Sequence, residues 1–242
     1  MGKYLSFANQ CIQKFKPVIE EKTGVKLEDV IGKEASEYYK RDEDYSPDIS
    51  MFVDMGCDNS IFVNEKRYEE MGDRSLYKIP RGVAHELAHL AHRKLIKKVR
   101  ETNPKADISR SVKRYKKSES FREGFAEYMS LTYLNDAYDY ETYREVWKDM
   151  MRNAGYDNFL PRGKPYERGY KFFRKVLSVI GKDKVFEVAR SPPLNELEVR
   201  MPLLYLLRRY PAQGIRNIPK FFTKAIRTKL LKKIYGYAPS DY

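Results

Sequence analysis

Cysteine, histidine, glutamine and tryptophan are all scarce in this chain of 242 residues, with two, three, three and one of each. Cys11 and Cys57 cannot build a disulfide framework, and their separation fits neither a zinc ribbon nor a C-x-x-C pair. A reducing, cytoplasmic setting is therefore expected. No uninterrupted apolar run reaches the roughly 18 residues that a membrane-spanning helix needs. The first 21 residues are broken up by Asn9, Gln10, Gln13 and Lys14, so they lack the apolar centre of a secretory leader. Neither a repeat nor a low-complexity tract is present, which argues against solenoid and fibrous architectures.

What is abundant is charge. Lys and Arg number 47 against 34 Asp and Glu, a formal net charge of +13, while 42% of residues are hydrophobic. Such a chain can bury an ordinary core and still attract polyanions, so nucleic acid and anionic membrane are open as partners on charge alone.

Apolar residues recur at helical intervals in residues 4–21 (Leu5, Ala8, Ile12, Phe15, Ile19), with Thr23-Gly24 as a stop. Residues 49–53 and 60–64 are β-prone around a turn-rich stretch and predict a hairpin or adjacent strands. A weaker strand signal lies within 25–48, and 65–71 predicts a short helix. Pro80 marks the expected start of a long helix through Arg100, whose apolar stripe is Val83, Leu87, Leu90, Ala91 and Leu95. Beyond a polar connection around Asn103-Pro104, helices are expected near 120–134, 141–154, 166–180, 182–189, 194–209 and 218–235. The fold class is therefore α+β. It is organised as one unit, 1–242, with an α/β lobe of about 1–102 and a helical lobe of about 119–242.

The chemistry concentrates on the long helix. In His85-Glu86-Leu87-Ala88-His89 the i, i+4 spacing puts both imidazoles on one face, where one metal ion can take a nitrogen from each. Glu86 lies about 100° round the helix, placed to take a proton from water without being a ligand. A third ligand is needed. His92 is excluded because seven residues carry it about 10 Å along the axis, too far for a shared tetrahedral ion; it is expected to cap the cleft or to face solvent. Downstream, Arg122-Glu123-Gly124-Phe125-Ala126-Glu127-Tyr128 carries two carboxylates at i, i+4. Alone, this string fits solvated surface glutamates equally well. With HExxH upstream, Glu123 becomes the third ligand, and Glu127, one turn on, the acceptor that fixes an imidazole tautomer.

HELAH followed by EGFAEY resembles the gluzincin metallopeptidases. The second string is similar to the glutamate helix of the neutral aminopeptidase family and of small soluble gluzincins, including minigluzincins. The resemblance implies a zincin-like fold, one zinc ion held by His85, His89 and Glu123, Glu86 as general base, and a peptide or protein substrate. It also implies a strand lining the cleft, for which Ile61-Phe62-Val63 is the natural choice. Thirty-three residues separate His89 from Glu123, more than in the aminopeptidases, and there is no GxMEN-type segment for a free amino terminus, so endopeptidase-like architecture is favoured. An oxyanion donor is expected from tyrosine, since all three histidines share one helix; Tyr166 and Tyr170 begin a helix in a context similar to that in related soluble gluzincins. The competing expectation is a latent or inactive zinc-containing protein that binds nucleic acid or anionic membrane; the amphipathic basic stretch from Ile218 offers such a contact, although packing of its apolar stripe on its own domain, with the lysines in water, is the favoured reading.

Overall fold

In the computed structural model, residues 2–39, 50–53, 59–72, 75–102, 118–137, 163–218 and 221 are described. Helix α1 (Lys3–Thr23) buries Leu5, Ala8, Ile12, Phe15 and Ile19, as its periodicity predicts. It ends where Gly24 takes a left-handed conformation (φ 63°) that a side chain would disfavour. Its first turn is capped from elsewhere in the chain: the Glu65 carboxylate accepts the Leu5 N–H at 2.6 Å. The buried Cys11 thiol is pushed up to about 11 by desolvation, which makes it a packing group and not a nucleophile.

Strand β1 (Ile31–Glu34) leads into α2 (Ala35–Tyr39), and β2 (Met51–Val53) and β3 (Ser60–Val63) follow. The sheet order is β1-β3-β2. The expected hairpin is present as an antiparallel pair with Phe52 opposite Phe62, while β1 adds to β3 in parallel. This corrects one expectation. β3 is the central strand with both edges paired, so it has no free edge for a substrate; among the described residues, β2 is the outer strand on its side. The Asn64 N–H bonds the Ser50 carbonyl, so by antiparallel alternation the Val53 N–H points away from β3 toward that outer edge.

Helix α3 (Glu65–Met71) is capped by the Asn64 side chain. Helix α4 (Ser75–Thr102) begins five residues before Pro80, earlier than expected. Proline terminates a helix only through its missing N–H and ring clash, and one turn of preceding helix is tolerated here. All five residues of the predicted stripe, Val83 to Leu95, are buried. Then come α5 (Glu119–Ala137), α6 (Gly163–Ile180), a 3-10 turn (Lys182–Lys184), α7 (Val185–Ala189), α8 (Glu196–Arg200) and α9 (Pro202–Arg209). The helical stretch expected over 194–209, with Pro202 near its middle or at a boundary, is two helices: the backbone breaks at Met201 and Pro202 opens the second, the position where its absent N–H costs nothing. The helix expected at 141–154, the Lys113 to Lys117 cluster, Cys57, Trp147 and the stretch beyond Phe221 lie outside the described residues.

One continuous apolar core runs from Leu5 on α1 through β3, α4, α5 and α6 to Leu206 on α9, so both halves of the sequence share it. Among the described residues no helix is long and apolar enough to cross a membrane.

Candidate metal centre

Two helices supply the centre and a third covers it. α4 and α5 pack along their buried faces, so that His85 and His89 on one meet Glu123 on the other. His85 Nε2 and His89 Nε2 lie 3.0 Å apart, and each is 3.2 Å from Glu123 Oε2. A tetrahedral ion with bonds of about 2.0–2.1 Å would require edges of roughly 3.3 Å between its donors. Two imidazole nitrogens and one carboxylate oxygen at these separations therefore fit such an ion, and all three are sheltered from solvent. The fit lies in the donor set and its spacing.

Glu127 orients this cluster. One of its oxygens pairs with Arg81, and Oε2 lies 3.4 Å from His85 Nδ1. In the neutral ring, a proton held on Nδ1 leaves the Nε2 lone pair directed at the cluster. Burial alone would make Glu127 a weaker acid, but the Arg81 charge and His85 outweigh it and hold the carboxyl down at about 2. His85 shows the mirror image: burial disfavours its cation, yet Glu123 and Glu127 push it up to about 10. Glu123, for the same reason of facing both rings, stays well below the ordinary carboxylate range despite burial.

Glu86 points elsewhere, as its position on the helix requires. It is half-buried at the outer edge of the sheet, where its carboxylate accepts the Val53 N–H; desolvation raises its pKa against the lowering pull of His85 and His89. A carboxyl of raised basicity within the field of both imidazoles is suited to receiving and returning a proton.

The structure separates the two tyrosines. The Tyr166 ring stacks on His85 at 5.6 Å, and its hydroxyl bonds Glu123. Desolvation of the hydroxyl and the surrounding carboxylates push that phenol well above its usual range, so it remains a donor. Tyr170 stands one turn on, beside Tyr128 at 6.3 Å, within the field of Glu127 and away from the triad.

What seats Tyr166 is a glycine contact. A Cβ on Gly169 would lie 1.7 Å from the Ser120 carbonyl oxygen, and one on Gly124 would lie 2.2 Å from the Gly169 Cα. The backbones of α5 and α6 therefore touch at Gly124 and Gly169, and Tyr166, one turn before, is brought onto Glu123. Sequence reasoning missed Gly169 and Arg81. Arg81 was findable: 81, 85 and 89 form an i, i+4 row. Gly169 carried no such signal.

His92 is a second correction, since it neither caps the cleft nor faces water. It is fully buried, donates from Nε2 to the Ala189 carbonyl at 3.0 Å, and lies against Phe125 (4.3 Å) and Phe121 (5.4 Å). Burial, then the charges of His89 and Arg122, lower its pKa to about 3 against the Ala189 bond. The folded value lies below the unfolded one, so the unfolded chain binds more protons between pH 6.5 and about 3. Stability of the metal-free protein thus falls as pH drops through that window. In urea titrations from about pH 6.5 to about pH 4.5, His92→Leu should lose less stability than the wild type. Equal losses would mean that His92 is not held neutral.

Comparisons with protein families, curated proteins and solved structures find no match to this chain.

Proposed function

We propose that this chain is a zinc-dependent peptidase of the gluzincin type with a zincin-like fold. The observation that carries the reading is the convergence of His85 Nε2, His89 Nε2 and Glu123 Oε2 within 4.8 Å of one another, with Glu86 adjacent and outside the triad. Zinc held by these three donors supplies Lewis acidity, polarising a carbonyl and making water acidic near neutral pH.

The rest falls to the chain's own residues. Glu86 receives the proton of the attacking water on its carboxylate and returns it to the departing nitrogen. Tyr166, kept protonated by desolvation of its hydroxyl and by the surrounding carboxylates, donates its O–H to the oxyanion developing at the carbonyl. The outer edge of β2 borders Glu86, so an extended peptide lying along Met51–Val53 would bring its backbone beside the base. Arg81 and Glu127 keep His85 in the tautomer that presents Nε2.

Metal analysis by mass spectrometry tests this reading together with cleavage of a broad peptide library. Purified protein is expected to hold about one zinc per chain. Direct partners of metal ligands are worth about 10–100-fold in affinity, so Glu127→Ala should weaken zinc within that range and Glu123→Ala by more. Absence of zinc after reconstitution, or equal affinity in Glu123→Ala, would remove the proposed centre.

A further inference from the structure

Seven large hydrophobic side chains stand exposed among the described residues, and five of them fall between positions 194 and 215: Leu194 (40%), Leu197 (53%), Met201 (50%), Leu204 (36%) and Ile215 (61%). Leu197 lies on α8 and Leu204 on α9, with Leu194 just before α8 and Met201 at the break between the two helices. The platform beneath them is firmly anchored. Glu198 is buried, receives two bonds from Arg208 (2.7 and 2.9 Å) and accepts the Leu194 N–H at 2.8 Å. Tyr205 and Leu206 are fully buried, with Tyr205 edge-on to Phe172 at 5.1 Å. Residues 211–218 are helical, and Gly214 sits so close to the Leu206–Leu207 backbone that a Cβ there would lie 2.9 Å from the Leu207 nitrogen. The helix that carries Ile215 therefore packs directly on α9.

Within residues 190–218 the charge that is not engaged internally has one sign. Residues 190–218 hold five arginines and two acids, Glu196 and Glu198. Both acids are engaged internally, Glu198 by Arg208 and Glu196 by the Ser118 hydroxyl at 2.8 Å. Arg190, Arg200, Arg209 and Arg216 are exposed. The sequence that follows, 219–235, adds six Lys or Arg and no acid. Like charge disfavours that stretch, or a second copy of the chain, as the cover for this surface. An anionic partner is complementary, and one that also accepts exposed leucine, methionine and isoleucine must have an apolar layer beneath its charge. A lipid surface has both; a nucleic acid presents phosphates with nothing to take aliphatic side chains.

We infer that the α8–α9 face, with Ile215, is a docking surface for anionic membrane, seating its aliphatic side chains among the acyl chains while the arginines meet lipid headgroups. The surface is independent of the metal centre and of its chemistry.

Sedimentation of the full-length protein with vesicles tests it. Binding is expected to phosphatidylcholine vesicles containing about one-third phosphatidylserine, to fall with added salt, and to be weak for phosphatidylcholine alone. Leu197→Glu combined with Met201→Glu should reduce anionic-vesicle binding about tenfold or more. Both side chains are exposed, so Tm should be unchanged, and Arg200→Glu with Arg216→Glu provides a second variant that leaves the apolar residues in place. No binding to the anionic vesicles overturns the inference. So does binding that both variants retain, which would assign it to other cations of the chain. Duplex DNA binding sensitive to the arginine variant, without vesicle binding, would make the partner nucleic acid. A dimer abolished by the double glutamate variant, again without vesicle binding, would make it a second copy.

Discussion

Gly169→Ala is expected to lower stability by about 3 kcal/mol, a drop in Tm of roughly 6–12 °C. The sign is the reverse of helix propensity, which by itself would reward the change by about 1 kcal/mol. Geometry decides between the two effects. The added Cβ would lie 1.7 Å from the Ser120 carbonyl oxygen and 2.5 Å from the Gly124 Cα. Both neighbours are backbone, so no side-chain rotation relieves the clash, and α5 and α6 must separate. Because Tyr166 reaches Glu123 through this crossing, the same variant should also lose the Tyr166 stacking on His85, readable in near-ultraviolet circular dichroism. A Tm equal to or above the wild type would show that the helices do not approach so closely.

Glu86→Gln is expected to keep zinc at one per chain while lowering turnover by about 10²–10⁴-fold. The amide preserves shape and still accepts the Val53 N–H through its oxygen, so the sheet edge and the half-buried environment persist. What it loses is the capacity to take a proton. Glu86 is not among the three converging donors, so metal content should separate from activity. The loss should fall on kcat with KM little changed, because Glu86 acts when the proton moves. Full activity of this variant on a verified peptide would remove Glu86 as the base, and loss of zinc would place it among the ligands.

Much of the centre was legible in the chain because it is written in helical spacing. His85, Glu86 and His89 are fixed relative to one another by 3.6 residues per turn, as are Glu123 and Glu127, and no tertiary contact alters those offsets. The buried stripes of α1 and α4 were legible for the same reason. The β2–β3 pair was readable from short β-prone runs around a turn. The misreadings share a different origin. Pro80 was weighed by local preference, and the surroundings tolerated it inside a helix. His92 looks like a polar residue on a helix surface until α7 brings the Ala189 carbonyl to it, 97 positions away.

By itself, then, the sequence determined the local geometry: which residues share a helix face, and that two nitrogens and two carboxylates are presented in ligand-like pairs. Only the tertiary structure decided which partners those faces meet. It placed Tyr166, one turn before the contact of Gly124 and Gly169, on His85 and Glu123, gave Glu127 its partner Arg81, and, among the described residues, made β2 the outer strand while enclosing β3. These outcomes depend on how closely two backbones approach and on which strand is left at the edge. Such properties arise from packing between segments distant in the chain, and no periodicity within one segment encodes them.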